Sequence, residues 1–244
     1  MFEDLRPKAV LFDFYGTLVD IETDEHRHEP WETVAKLLKY RGSRATGEML
    51  RLWYLDYVKN ALDRSGEEYP DVDIVPIFGQ LIAHAGVHDE DGLAKTVAQL
   101  FRSQSIVYQL RTFPESIEVL EDLSRKGFVL GLVSDSQEPY LLPELHESRL
   151  DRFFDLDKVV ISSRYGYRKP DPRLMQVALE RLGIAPSDAA YVGDSWMRDV
   201  EGAAKVGMHP IWIRRDKPAD LPRRDVKVYT IRNLNELKAI RPPR

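Results

Sequence analysis

The chain contains no cysteine. That absence excludes disulfides, thiolate metal sites and a cysteine nucleophile together. Long apolar runs are missing as well: no stretch approaches the ~20 residues needed to span a bilayer. The first residues, MFEDLRPKAVLFDF, carry acidic side chains and an apolar run too short for a secretory signal. A cytoplasmic location, away from any membrane, is the expectation. Basic charge is not in excess either. The formal net charge is -5 over 244 residues, so no broad cationic face is available for nucleic acid, although a local cationic pocket for a small anion is compatible with that balance. Internal repeats and low-complexity tracts are absent. With 43% hydrophobic and 31% charged residues, the composition is that of a globular protein, long enough for one large domain or a core plus a smaller one.

Short apolar runs are what the sequence does have. Residues 8–12 read KAVLF and stop at Asp13. Similar runs recur at 128–134 (FVLGLVS), 158–162 (KVVIS), 189–194 (AAYVGD) and 209–213 (HPIWI), with a weaker one at 226–231 (VKVYTI). Runs of this length without alternation predict strands buried on both faces, as in a parallel sheet. Helical patterns lie between them: SIEVLEDLSRKG after Pro114, closing at Gly127; DPRLMQVALERLG over 171–183; and MRDVEGAAKVG after Asp194. Proline at the start and glycine at the end frame the first of these. Strand and helix in alternation predict βαβ units. Residues 217–224 (KPADLPRR) read as a polar loop before the last strand.

The interval from about residue 25 to residue 108 differs. It holds four amphipathic helical patterns, PWETVAKLLKYRG, TGEMLRLWYLDYVKNALDRSG, VDIVPIFGQLIAHAG and EDGLAKTVAQLFRSQ. The expected organisation is therefore a Rossmann-like α/β core, with a three-layer parallel sheet, over 1–22 and 109–244. An all-helical domain over 23–108 would be inserted after the first strand.

Ligands of an open parallel sheet bind beyond the carboxyl ends of its strands, so the polar residues that end each run should converge. They are Asp13, followed by Phe14, Tyr15, Gly16 and Thr17; Ser134 with Asp135; and Asp194, whose segment GDSWMRD carries Asp199. Lys169 follows the third run, in RKPDP. Any one of these aspartates could be a turn or helix-capping residue. The ordered set, all at strand ends, is not explained that way.

DFYGTLVD, LVSDS, GYRKPDPRLM and VGDSWMRDVEGA, in that order, resemble the four motifs of the haloacid dehalogenase-like superfamily, and the helical interval resembles the cap placed there between motifs one and two. The resemblance implies that Asp13 is a covalent nucleophile, which divides one difficult displacement into two easier ones. It implies that Thr17, Ser134 and Lys169 bind the group under attack, with Lys169 keeping Asp13 ionised. Asp194 and Asp199, with Asp13 and the main-chain carbonyl of Tyr15, would hold Mg²⁺, a hard cation suited to oxygen ligands. Gly16, Tyr15 and Asp135 would face substrate; Asp135 could instead bind metal or cap the next helix.

Two readings divide this family resemblance. Its phosphatases usually carry an acid/base aspartate two residues after the nucleophile, work for which Tyr15 is poorly matched near neutral pH. Tyrosine there, in D-x-Y-G-T, resembles the 2-haloacid dehalogenases, whose halide leaving group needs no proton. Those dehalogenases also place an arginine after a tryptophan in the cap, where this chain has Trp53-Tyr54 with Arg51 nearby; they have Ser-Asn where this chain has Ser134-Asp135; they have tyrosine where this chain has Met175. Their fourth motif is not the acidic Gly193-Asp194, since they use no metal. The expectation is a Mg²⁺-dependent phosphatase of a small phosphorylated metabolite, with a metal-independent 2-haloacid dehalogenase as the alternative. A low-turnover binding protein for a phosphorylated metabolite is the further alternative. Partners are then a small anionic substrate and, at most, a second copy: monomer or homodimer.

The helical interval offers further candidates. His26 and His28 could supply the missing acid by position and pKa range. Trp53 and Tyr57 share a helical face and are expected to pack between helices, leaving Tyr54 to line a substrate pocket. Arg41, Arg44 and Arg51 are expected on the surface. Arg164 and Arg168 could reach an anion, and Trp196 could flank the site or anchor the helix after it.

Overall fold

The computed structural model describes residues 2–215 and 226–243; the polar loop expected at 217–224 lies outside them. Strand β1 (Ala9–Phe12) is followed by β2 (Val19–Thr23), helices α1 (His28–Tyr40), α2 (Gly47–Arg64), α3 (Ile74–His84) and α4 (Leu93–Ser105), and then β3 (Ile106–Thr112). From there strands and helices alternate: α5 (Ser116–Arg125), β4 (Val129–Ser134), α6 (Glu138–Glu147), β5 (Val160–Ile161), α7 (Pro172–Leu182), β6 (Ala189–Gly193), α8 (Glu201–Lys205), β7 (His209–Ile213) and β8 (Tyr229–Ile231).

Six strands form one sheet in the order β5-β4-β1-β6-β7-β8, every neighbouring pair parallel. All residues of β1 and β6 are buried, which is why their sequences are apolar without alternation. One face packs on α5 and α6 through residues such as Phe12, Leu120 and Leu141, and the other on α7 through Leu11, Leu174 and Leu179. The fold is the Rossmann-like α/β sheet expected. β1 is the central strand, with β4 on one side and β6 on the other. The chain order reverses there, so the groove beyond its carboxyl end is where such sheets bind ligands.

Helix ends follow local chemistry. Asp171 caps α7 by accepting from the Arg173 amide, and Gly183 closes it at φ 66°, a left-handed position natural to glycine. A helix after Asp135 is considered from the sequence, but no periodic pattern there delimits α6. Its prolines obscure the pattern: one stands at the first turn, where no hydrogen bond is lost, and Pro143 lies inside.

The ribbon of β2 and β3, antiparallel with register shifts, was unforeseen; it leads into and out of the helical segment. α1 buries Trp31, Val34, Ala35 and Leu38 on one stripe. With Tyr54, Phe78 and Phe101 they build a second core, in which the Trp31 ring lies 4.4 Å from Phe101 and 4.9 Å from Tyr54. The segment rests on the sheet domain at several points. The Gln137 side chain donates to the Val72 carbonyl and accepts from the Ile74 amide, both at 2.9 Å, and the Arg168 amide donates to the Tyr69 carbonyl at 2.9 Å. No helix among the described residues is long and apolar enough to cross a membrane.

Candidate active site

Asp13 is the first residue beyond β1, and its amide donates to the Val192 carbonyl of β6 at 2.9 Å. This bond extends the sheet one residue further and fixes the carboxylate over the groove. The buried Lys169 ammonium reaches three groups: Asp13 Oδ1 at 2.8 Å, Asp199 Oδ1 at 2.6 Å and the Tyr191 hydroxyl at 3.1 Å. Burial alone would lower the lysine pKa, but Asp13 and Asp199 outweigh it and hold Lys169 protonated. One ammonium does not neutralise this cluster. Burial pushes the Asp13 carboxyl up to about 7, against the pull of Lys169 and with help from Asp199.

Two glycines make room for carboxylates. Gly16 has φ +78°, and a Cβ there would lie 2.7 Å from Asp194 Oδ2; a Cβ at Gly193 would lie 2.3 Å from the Asp199 Cγ. No side chain could replace either without displacing an acid. Asp199 is held further by the Ser195 amide, 2.8 Å from its Oδ2. Asp13, Asp194 and Asp199 each offer an oxygen within 4.8 Å of the others. The buried hydroxyls of Thr17 and Ser134 have no hydrogen-bond partner among the described residues, which leaves two donors at the same end of the sheet for an anionic ligand.

Asp135 does not cap α6, whose N-cap is Gln137. It accepts from the Lys169 amide at 2.9 Å and so positions the lysine loop, while burial raises its own carboxyl. The Tyr15 hydroxyl donates to Glu144 at 2.8 Å.

The helical segment departs from expectation. Tyr54 is buried in its aromatic core, whereas Trp53 and Tyr57 are half-buried, and Trp53 stacks on His84 at 3.9 Å. Trp53 and Tyr57 do pack against that core between helices, as expected, while Tyr54 is buried within it instead of lining a pocket. Spacing identifies which residues share a face, not which face meets the neighbouring helix. His26 and His28 are exposed. Arg41 and Arg44 are exposed, and Arg51 pairs with Glu48 at 2.7 Å. Arg164 pairs with Glu138 at 2.8 Å, and Arg168 is exposed. The Trp196 indole donates to Glu201 at 3.1 Å and packs edge-on against Trp212, which anchors the turn after Asp194.

Two positively charged residues near the site are missing from the candidates read in the sequence. Partial burial disfavours the Arg198 charge, but the field of Asp13, Asp199, Asp135 and Asp194 more than offsets it. Arg102 of α4 grips Glu144 beside Tyr15. The position of Arg198 directly before Asp199 was the available clue; Arg102 had none, because its partner lies on α6, which no periodic pattern delimits.

A buried carboxylate, a lysine against it, two hydroxyls without a partner among the described residues and an acidic cluster together suit displacement at an anionic centre. A family model for haloacid dehalogenase-like hydrolases matches residues 7–207. A glyceraldehyde 3-phosphate phosphatase of Methanopyrus kandleri is 34% identical over 61% of this chain and 63% of its own length, so the match spans less than two thirds of that relative. The (S)-2-haloacid dehalogenase 4A of Burkholderia cepacia is 27% identical over 97% of this chain and 95% of its own. Among solved structures, a HAD phosphatase from Thermococcus onnurineus superposes with a TM-score of 0.58 and 28% identity, over 95% of this chain and 96% of that one. The chain belongs to the haloacid dehalogenase-like hydrolase family.

Proposed function

We propose that the protein is a Mg²⁺-dependent phosphatase of small phosphorylated metabolites, and that the helical segment is the cap over its site. The observation that carries this reading is the acidic cluster. Three carboxylates within 4.8 Å, with Asp135 beside them, outnumber Lys169 and Arg198 and would repel a phosphate unless a further cation joined them. The donor set fits Mg²⁺, since all its atoms are hard oxygens. Asp13, Asp194, Asp199 and the Tyr15 carbonyl would hold the ion, and its charge would offset the repulsion between Asp13 and a phosphate dianion.

The chemistry follows from the chain's own groups. A carboxylate oxygen of Asp13 attacks phosphorus, the bond to the leaving oxygen breaks, and an aspartyl phosphate forms. Water then cleaves that acyl phosphate and restores Asp13. Thr17 and Ser134 donate to the phosphoryl oxygens, and Lys169 balances their charge. No carboxyl stands at position 15 to protonate the departing oxygen, and Tyr15 already donates to Glu144. This favours substrates with a good leaving group, such as acyl phosphates. Closure by the cap would exclude water.

Metal-independent 2-haloacid dehalogenation is the second reading, favoured by Tyr15 and by the full-length likeness to a dehalogenase. Against it, Arg51 is engaged by Glu48 on the surface, and the fourth motif is acidic. A paired assay separates the two: phosphate release from p-nitrophenyl phosphate and acetyl phosphate, and halide release from 2-chloropropionate, each with Mg²⁺ or EDTA. Magnesium-dependent phosphate release supports the proposal. Halide release that EDTA leaves intact overturns it, and no release of either product points to a binding protein.

A further inference from the structure

Tyr15 stands where a phosphatase of this family would carry its acid, and its hydroxyl is turned into a buried ion pair. It donates to Glu144 Oε2 at 2.8 Å and lies 3.3 Å from the Ser136 hydroxyl. Glu144, on α6 of the sheet domain, is 5% exposed. Its carboxylate is gripped by Arg102 of α4, in the helical segment, with Nε at 2.7 Å from Oε1 and one terminal nitrogen at 3.3 Å from Oε2. The Arg102 guanidinium lies 5.6 Å from the Tyr15 ring centre and 5.2 Å from that of Tyr140. Tyr140 itself, from α6, packs into the core of the helical segment. Three pieces of chain therefore meet on one carboxylate: the loop after the nucleophile, the helix after Ser134, and the last helix of the cap.

We propose that Arg102 and Glu144 are positioning residues that fix the nucleophile loop through the Tyr15 hydroxyl, so that the loop is set only when the helical segment is seated on the sheet. The proposal rests on Asp13 being the working nucleophile. Its physical basis is the cost of separating the pair. A forked, charge-assisted contact is strong when dry, and removing one partner leaves an uncompensated buried charge. Lifting α4 would strip Glu144 of its cation and leave the Tyr15 hydroxyl bonded to a carboxylate seeking water. A second ion pair between the segment and the sheet domain, Glu67 with Arg173, makes no contact with the nucleophile loop and serves as the internal control.

The test reads the loop directly. The amides of Gly16, Leu18 and Val19 are hydrogen-bonded within the turn after Asp13, so their hydrogen exchange, followed by mass spectrometry, reports how firmly the loop is held. Tyr15→Phe and Arg102→Met are each expected to speed exchange about tenfold, the effect of losing one hydrogen bond to a charged group. The double variant should be no faster than either single one, and Glu67→Gln should match wild type. Arg102→Lys carries the same test with the charge kept and the fork lost, in case methionine prevents folding. In turnover, kcat should fall about tenfold while KM moves less than about twofold, because alignment rather than binding is lost.

Wild-type exchange in Tyr15→Phe would overturn the proposal, as would a double variant in which the two effects multiply to about a hundredfold. So would a Glu67→Gln loop as fast as that of Arg102→Met, which would mean that any loosening of the segment suffices. Because exchange needs no substrate, it decides the coupling even if no phosphate is released. An active enzyme whose loop ignores Arg102 would sink the coupling and leave the phosphatase reading standing.

Discussion

The strand ends and the helical segment handle charge in opposite ways. At the strand ends Asp13, Lys169 and Asp199 are all buried, and each is held by backbone or by another charge. In the helical segment the buried side chains are chiefly aromatic and aliphatic. Its ions are mainly surface pairs such as Arg51 with Glu48 and Lys59 with Asp63, of a kind that solvent screens and that adds little to stability. The strand ends keep costly buried charge for chemistry, while the segment uses its interior for packing. Arg102 with Glu144 is the exception, and it lies where the two regions meet.

The largest effect is expected at Asp13, the proposed nucleophile. Asp13→Asn keeps the volume and removes the attacking oxygen's charge, so phosphate release should fall by about 10⁴-fold or more with circular dichroism unchanged; residual activity near wild type would remove Asp13 from that role. Asp194→Asn should come next. It is expected to cost at least about a hundredfold in turnover at limiting Mg²⁺, and to need more Mg²⁺ for what remains.

In the helical segment the same kind of substitution should affect stability and not chemistry. Phe101→Ala deletes a ring at the centre of the aromatic core and should cost about 3–5 kcal/mol, read as a lower midpoint in denaturant. A pH series sharpens the comparison at smaller amplitude. The Asp13 pKa is raised by burial to about 7, so the fold without metal binds this proton more tightly than the unfolded chain does. The resulting stability is present in full below the ordinary carboxylate range and is lost as pH rises from there through about 7. With EDTA, the wild-type melting temperature should therefore drop more between pH 5 and pH 8 than that of Asp13→Asn. Smallest of all, Arg51→Ala should leave both phosphate release and melting unchanged within error; a large loss of halide release instead would return the arginine to the site.

What could be read from sequence divides along the same line. Buried parallel strands write their boundaries as apolar runs, and the groups that end them are polar because chemistry or turns require it. Asp13, Ser134, Lys169 and Asp194 are therefore legible in the sequence itself. Helix faces are different: a stripe of Trp53 and Tyr57 and a stripe through Tyr54 look alike until the packing partner is known, and Tyr54 proved to be the buried one. α6 was hidden by its own prolines, and with it Glu144. The pairing of Arg102 with Glu144 spans 42 residues and two structural units, a distance over which no local pattern carries information.

We propose that the acidic cluster at the strand ends is built around a divalent cation. The most direct measurement is a calorimetric titration of Mg²⁺ into protein freed of metal with EDTA and then dialysed, for wild type and Asp194→Asn. A saturable single site in wild type, lost or weakened at least about tenfold in Asp194→Asn, is the expected result. No binding heat in wild type, together with halide release from 2-chloropropionate unchanged by EDTA, would contradict it.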